Sequence, residues 1–403
     1  MRILLCWLAV FAASLLAATA HAEPPPVVAK ANPLPVYMHY MPWFDAPATP
    51  SGEGWGHHWT MRNRDPNVVD AAGRRQIASH YYPKIGPYAS SDPHVIEYHL
   101  LLMKLAGVDG VLINWYGEQG TNGDVEQLLK NSNAIADRVG KYGLKFAVVF
   151  EDRFAANLGQ AQANMRYLRE HYFQRPEYIR HGNEQRPLVL VFGPITFQKP
   201  AEWDAIVAEA GEPLALLTLP YESAEAGANA AGEFQWIWED ETKDNAIDVL
   251  ADFLKNRTPQ LSTVCGVAYP GFNDYYEEGG DGAIVAFEIP HDDGNTLART
   301  LELANKHRDE LAMLQLATWN DFGEGTMFEP TVETGFDYLS QVQKFTGAPY
   351  KQAELELVYQ LYEARRRHAG DAAKTELLDQ VAELLNALKI NEARALLHKI
   401  ETR

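Results

Sequence analysis

Leu144-Lys145-Phe146-Ala147-Val148-Val149-Phe150-Glu151 is a mostly apolar run of strand length that ends on a carboxylate. Its apolar residues are consecutive rather than alternate, the pattern of a strand buried on both faces. An amphipathic stretch precedes it at 124–141, and another follows at 158–173. The same alternation recurs outward in both directions. Further strands are expected at 36–41, 110–116, 187–192, 214–219, 234–238, 263–269 and 314–319. Further helices are expected at 93–106, 201–210, 244–256 and 295–311, the first opened by Asp92 as N-cap and Pro93 in the first turn. About eight strands alternating with helices over about 300 residues predict an α/β fold, a (β/α)8 TIM barrel. A doubly wound open sheet is the alternative, but no Gly-rich phosphate loop follows any of the strands.

The two ends read differently from this middle. Residues 1–22 have Arg2, the apolar run ILLCWLAVFAASLLA and then Ala20-His21-Ala22, the layout of a cleavable secretory signal peptide. A membrane anchor is the alternative, but the apolar run is short and no stop-transfer pattern follows. Export to the periplasm or the exterior is therefore expected, with no anchor left after cleavage. Residues 23–35 read as a Pro-rich linker and 36–350 as the barrel domain. Residues 351–403 are charged and helical, a C-terminal appendage with an ordinary leucine packing face. Cleavage removes Cys6 and leaves Cys265 alone, in the apolar run STVCGVAY, as a buried structural thiol.

Charge and ring content narrow the function. With 35 Lys+Arg against 54 Asp+Glu, a net charge of −19 argues against nucleic acid and anionic membranes as partners. The 9 Trp, 19 Tyr and 16 Phe suit a carbohydrate partner, because such rings stack on pyranose faces.

Placement is more telling than amount. Chemistry in a barrel sits at the C-terminal ends of the strands. The expected strands end on Tyr40-Met41-Pro42-Trp43, Asn114-Trp115-Tyr116, Glu151-Asp152, Tyr221, Trp236/Trp238/Glu239, Tyr269 and Trp319-Asn320-Asp321, whereas their starts are plain aliphatic. Past the eighth strand, Asp321 and Glu324 lie three residues apart across a Gly-flanked turn, followed by Phe328-Glu329. Two carboxyls are the minimum for glycoside hydrolysis, one protonating the departing oxygen while the other serves as base or nucleophile. Mutual repulsion and an apolar wall such as Trp319 would keep one of them protonated. Glu151 is a third candidate, for substrate hydroxyls or for holding the acid in place, while Asp152 could pair with Arg153.

Other chemistries fit less well. Neither His57-His58 nor His291-Asp292-Asp293 has the spacing of a zinc site, so no metal is expected, and no cofactor. A G-x-S-x-G elbow is absent, which argues against a serine hydrolase.

These residues form motifs. Val36-Tyr37-Met38-His39-Tyr40-Met41-Pro42-Trp43-Phe44 resembles the first-strand "YYPWY" of glycoside hydrolase family 99, the endo-α-mannosidases and endo-α-mannanases, and of family 71, the α-1,3-glucanases. Residues 82–93, YPKIGPYASSDP, are similar to the family 99 segment "YPxLGPYSSxDP". Gly110–Tyr116 resembles "GVIxxSWY", Val149–Glu151 the third-strand glutamate, and Pro270–Asp274 "PGYDDT". Trp319–Thr326 is similar to "WNEWHEGTxIE", with Glu329 on the last acid. The resemblance covers about residues 36–345. It implies a retaining, endo-acting α-glycosidase in which Asp321 takes the proton of the sugar's own 2-hydroxyl, giving a 1,2-anhydro intermediate, and Glu324 is the acid/base. Tyr40, Tyr88, Trp115, Tyr116 and Glu151 would then line the sugar subsites, with Trp43, His58, Trp236, Trp238, Tyr269, Trp319, Asn320 and Glu329 as further substrate-side candidates. Asp321 stands where the family has Glu, Phe322 where it has Trp and Gly323 where it has His. An inverting, family 71-like hydrolase and a non-catalytic carbohydrate-binding barrel are the alternatives.

Overall fold

The computed structural model describes residues 24–47, 54–239 and 246–402. The expected signal peptide, with Cys6, lies outside the described residues, as does the start of the helix expected at 244–256.

Nine strands occur among the described residues: β1 Val36–Tyr40, β2 Gly110–Trp115, β3 Lys145–Phe150, β4 Arg180–His181, β5 Arg186–Val191, β6 Ala215–Thr218, β7 Ala230–Phe234, β8 Thr263–Ala268 and β9 Met313–Leu316. Eight of them run parallel in the order β1-β2-β3-β5-β6-β7-β8-β9, and pairing of β9 with β1 closes the ring. Registers such as Met38↔Val111, Asn114↔Val149, Val149↔Leu190 and Met38↔Leu316 put the polar strand ends at one rim. The two-residue β4 pairs antiparallel with the start of β5, outside the ring. The expected (β/α)8 TIM barrel is the observed fold. The strands are mostly apolar because helices cover one face and the barrel interior the other.

One strand lies elsewhere than expected. The sixth barrel strand is Ala230–Phe234, not 234–238. Gly232 sits so close to β8 that a Cβ there would come within 1.8 Å of the Thr263 carbonyl oxygen, so the small residues of 230–232 form the ladder. The apolar Trp236-Ile237-Trp238 is thereby pushed past the strand, onto the rim. Its apolar character belongs to a cleft wall rather than to a sheet.

The barrel interior is partly polar. His39 lies 3.3 Å from both Gln315 Oε1 and Asn114 Oδ1, and Asn114 donates to Glu151 Oε1 at 3.2 Å. Gln315 donates in turn to the Gln235 carbonyl at 2.5 Å. Burial lowers the His39 pKa to about 4, so this ring is neutral. The chain of amides thus carries hydrogen bonds across the barrel up to the third-strand carboxylate.

Residues expected as a linker are pinned to the barrel base instead. Val28 and Leu34 are buried, Lys30 pairs with Asp109, and Asn32 donates its backbone N–H to the Thr346 carbonyl at 2.9 Å. At the other end, helices Gln352–Arg367, Ala372–Asn386 and Ile390–Glu401 form a packed group. The first lies against the helix Pro93–Leu105, where Arg365 grips Glu97 through two bonds of 2.6 and 3.0 Å. Lys104 donates to Asn386 Oδ1 at 2.7 Å. Asp92 does cap Pro93–Leu105, accepting the N–H groups of His94 and Val95. Cys265 is fully buried, and burial pushes its thiol up to about 12.

Candidate active site

The segment after β9 folds back on itself before leaving the rim. Thr318 N–H donates to the Thr326 carbonyl at 2.8 Å, and Glu329 N–H to the Trp319 carbonyl at 2.8 Å. Inside this fold Asp321 N–H donates to Thr318 Oγ1 at 2.8 Å, and Glu324 N–H donates to Asp321 Oδ1 at 2.9 Å. The three-residue spacing therefore does what its turn chemistry allows: one acid's carboxylate caps the amide of the other. Gly325 is required here, since it has φ +66° and a Cβ would meet the Asn273 carbonyl oxygen at 2.6 Å.

A second loop, following β8, supports the first. Asn273 N–H donates to the Glu324 carbonyl at 2.9 Å and Tyr275 N–H to the Gly323 carbonyl at 2.8 Å. This pairing delivers the Tyr276 phenol to Glu324 Oε1 at 3.0 Å. Tyr276 was not among the residues singled out by sequence. The signal was its place two residues beyond the Pro270–Asp274 motif.

The electrostatics follow from that packing. Burial raises the Asp321 carboxyl well above the usual carboxylate range, and the neighbouring Glu324 charge adds to the effect. Burial also raises Glu324, to about 7, against the Tyr276 hydrogen bond, which favours the charged form. Glu151 is raised by burial too, opposed by Arg153, whose Nε lies 3.0 Å from Glu151 Oε2. Both carboxyls of the turn are thus held above the usual carboxylate range, Asp321 by burial and the Glu324 charge and Glu324 by burial.

The structure sorts the other candidates into three groups. Close to the acids are Glu151 and Tyr116, whose phenol is raised by burial and by the charges of Glu151 and Asp321. On the rim Trp43 and His58 stack face to face, with centroids 4.0 Å apart, while Trp236 and Trp238 wall a cleft reaching Glu324.

A second group lies beneath the acids, out of solvent. Tyr88 donates to Glu329 Oε2 at 2.6 Å and accepts from Asn320 Nδ2 at 3.0 Å. Tyr40 Oη lies 2.8 Å from His99 Nδ1, and His99 Nε2 lies 3.4 Å from Glu329 Oε1. Glu329 and Asn320 have no exposed surface, so this network supports the loop that bears Asp321 rather than lining its surface.

Three rings expected at the mouth are packed into the core. Trp115 turns outward against Phe150, Tyr167 and Tyr172, and Trp319 packs edge-on to His99 at 5.2 Å. Tyr269 is fully buried in a cluster with Ile237, Phe272 and Ile289. Consecutive residues of a strand point to opposite faces, so a ring-rich strand end cannot aim every ring at the mouth. Asp152 also differs from expectation: it accepts the backbone N–H groups of Ile195, Thr196 and Phe197 at 2.8–3.2 Å and leaves Arg153 to Glu151. Phe322, at a position where the motif varies, packs on Phe44 and Trp59.

Parts of the chain are similar to known proteins. Residues 33–227 match the model of glycosyl hydrolase family 99, and residues 233–342, which include both acids, match a model described as glycosyltransferase WbsX. The chain is 25% identical over 193 residues to glycoprotein endo-alpha-1,2-mannosidase of Mus musculus, covering 44% of this chain and 41% of the relative. The Rattus norvegicus protein of the same name is 26% identical, again over 44% of this chain and 41% of its own length. The chain thus spans about two fifths of these curated relatives. The solved GH99 endo-alpha-mannosidase from Bacteroides thetaiotaomicron superposes with a TM-score of 0.60 at 17% identity, covering 80% of this chain and 98% of the other. Just under half of the chain, residues 33–227, is thus similar to glycosyl hydrolase family 99, and the chain shares its barrel fold with the solved GH99 structure.

Proposed function

We propose that the chain is an exported glycosidase that cleaves α-glycosidic bonds inside an oligo- or polysaccharide, with retention at the anomeric carbon. The observation that supports this most is the pair Asp321–Glu324 at the barrel rim, the first buried and the second half-buried, joined through Glu324 N–H to Asp321 Oδ1 at 2.9 Å. In the first step Asp321 takes the proton of the sugar's 2-hydroxyl, and that oxygen attacks C1. The C1–O bond to the leaving group breaks as Glu324 gives its proton to the departing oxygen. In the second step Glu324 takes a proton from water, the water oxygen attacks C1, the C1–O2 bond opens, and Asp321 returns its proton to O2. Glu151, Arg153 and Tyr116 surround the pair and are the groups proposed to hold sugar hydroxyls.

The shorter Asp321 side chain sets its carboxyl about one methylene back from a 2-hydroxyl, so the sugar must sit deeper for this step. The α-mannosidase names of the relatives make an α-mannan-like glycan the first substrate to try. Incubation with α-mannans and α-1,3-glucans, sizing of the products and NMR of the first-formed anomer test the proposal. Internal cleavage with retention is expected; an inverted first product overturns the anhydro-sugar route, and no cleavage of any glycan overturns the activity. The match of residues 233–342 to a model named for a glycosyltransferase supports a second reading, transfer of the glycosyl group to a sugar hydroxyl. Products longer than the substrate would select it.

A further inference from the structure

The chain of hydrogen bonds inside the barrel has a direction, and that direction is fixed at its far end. The Gln235 carbonyl can only accept, so Gln315 turns Nε2 to it at 2.5 Å and presents Oε1 to His39 Nδ1 at 3.3 Å. An amide oxygen accepts, so Nδ1 of His39 carries a hydrogen. In a neutral ring Nε2 is then a bare lone pair, and the Asn114 amide lies 3.3 Å from it. The other arm of that amide lies 3.2 Å from Glu151 Oε1. If Asn114 gives its N–H to Glu151, its oxygen meets the lone pair of Nε2, and two acceptors face each other. Turning the amide end for end keeps the same shape and removes the conflict. Asn114 then donates to Nε2, and its oxygen faces Glu151 Oε1, which must bring the hydrogen. The other way to satisfy every contact is an imidazolium at His39, but this ring has no exposed surface and burial lowers its pKa to about 4. His39, Asn114 and Glu151 are 0%, 3% and 4% exposed, so bulk water does not supply the missing hydrogen.

We propose that the chain Gln235–Gln315–His39–Asn114 holds Glu151 as an uncharged carboxylic acid that donates Oε1–H to Asn114. The groups facing Glu151 bear on this in both directions. Burial raises its carboxyl and the Asp152 charge adds to the effect, while Glu151 and Glu324 repel each other when both are charged. Arg153 acts the other way, but its side chain is 46% exposed and water weakens its pull. Uncharged Glu151 still offers Oε2 as an acceptor for a sugar hydroxyl. It also lets Asp321 ionise with one carboxylate fewer beside it. That consequence rests on the glycosidase reading, in which Asp321 is the base; the protonation itself does not.

The test is the infrared difference between the parent protein and Glu151→Gln, recorded without glycan across a pH titration. A protonated-carboxyl C=O band that shifts in D₂O and persists above the ordinary Glu value of about 4.3 is expected. A difference holding only carboxylate bands there overturns the proposal. Gln315→Met removes both arms of the amide that fixes His39, so the ring can carry its hydrogen on Nε2 and Asn114 can donate to an ionised Glu151. The midpoint of the band should then fall by about one pH unit, the worth of one such bond. An unmoved midpoint in folded Gln315→Met protein overturns the part given to the chain. Melting temperatures supply a second readout. A carboxyl held protonated by the fold contributes stability that is present below about 4.3 and is lost as pH rises from there through the raised value. Gln at 151 has no such loss, so Glu151→Gln should gain on the parent by about 2 °C for each pH unit between the two values. A parent that gains on the variant instead marks an ionised Glu151 and overturns the proposal. No glycan enters these measurements, so failure of the glycosidase reading leaves them standing. An active glycosidase with an ionised Glu151 removes this proposal alone.

Discussion

The phenol of Tyr276 donates to Glu324 Oε1 at 3.0 Å, across two loops that leave neighbouring strands. A hydrogen bond given to a carboxylate favours its charged form, so Tyr276 restrains the upward pull of burial that leaves Glu324 at about 7. As general acid, Glu324 must be protonated, so its contribution to catalysis is lost as pH rises through that value, which sets the alkaline limb. Tyr276→Phe removes the restraint. The alkaline limb of kcat/KM should move upward by about one pH unit, the worth of one such bond. An unmoved limb would show that this bond does not set the acid's proton affinity.

Beneath the acids, Tyr88 links the buried Glu329 to Asn320, the residue next to Asp321. Tyr88→Phe leaves a buried carboxylate oxygen and an amide N–H short of a partner. Stability should fall by about 1–3 kcal/mol in denaturant melts. With Asp321 less firmly placed, kcat should fall about tenfold while KM changes less. A rise in KM alone would instead put Tyr88 in direct contact with sugar.

The C-terminal helices are held to the barrel through a buried charge. Arg365, buried, bonds Glu97 at 2.6 and 3.0 Å and Asp379 at 2.8 Å. Arg365→Met strands Glu97 without its counter-ion, at a cost of about 3–5 kcal/mol. Calorimetry should show a lower melting temperature, partly restored by adding Glu97→Gln. An unchanged melting temperature would mean that the helices do not depend on this pair.

The barrel was legible because strands buried on both faces leave uninterrupted apolar runs, as at 110–116 and 145–150. The sixth strand was misplaced because its working part is small residues, Ala230–Gly232, while the apolar Trp236–Trp238 lines a cleft. Asp321 and Glu324 stood out by their spacing after a strand end. What spacing could not show was direction. Trp115, Tyr269 and Trp319 share strand ends with mouth residues yet point into the packing, and Glu329 is sealed beneath the loop. The hydrogen-bonded set of His39, Asn114 and Gln315 was not legible, because single polar residues inside apolar runs look incidental until three strands bring them side by side.

The central claim is that Glu324 gives its proton to the leaving group, and turnover by Glu324→Gln protein tests it most directly. An amide of the same shape keeps an acceptor for Tyr276 but has no acidic proton to give. Reducing-end release from a cleaved glycan should fall by about 10²–10⁴, the scale of a lost general acid, with the thermal midpoint and far-UV circular dichroism unchanged. Hydrolysis at the parent rate in a folded Glu324→Gln protein would contradict the account.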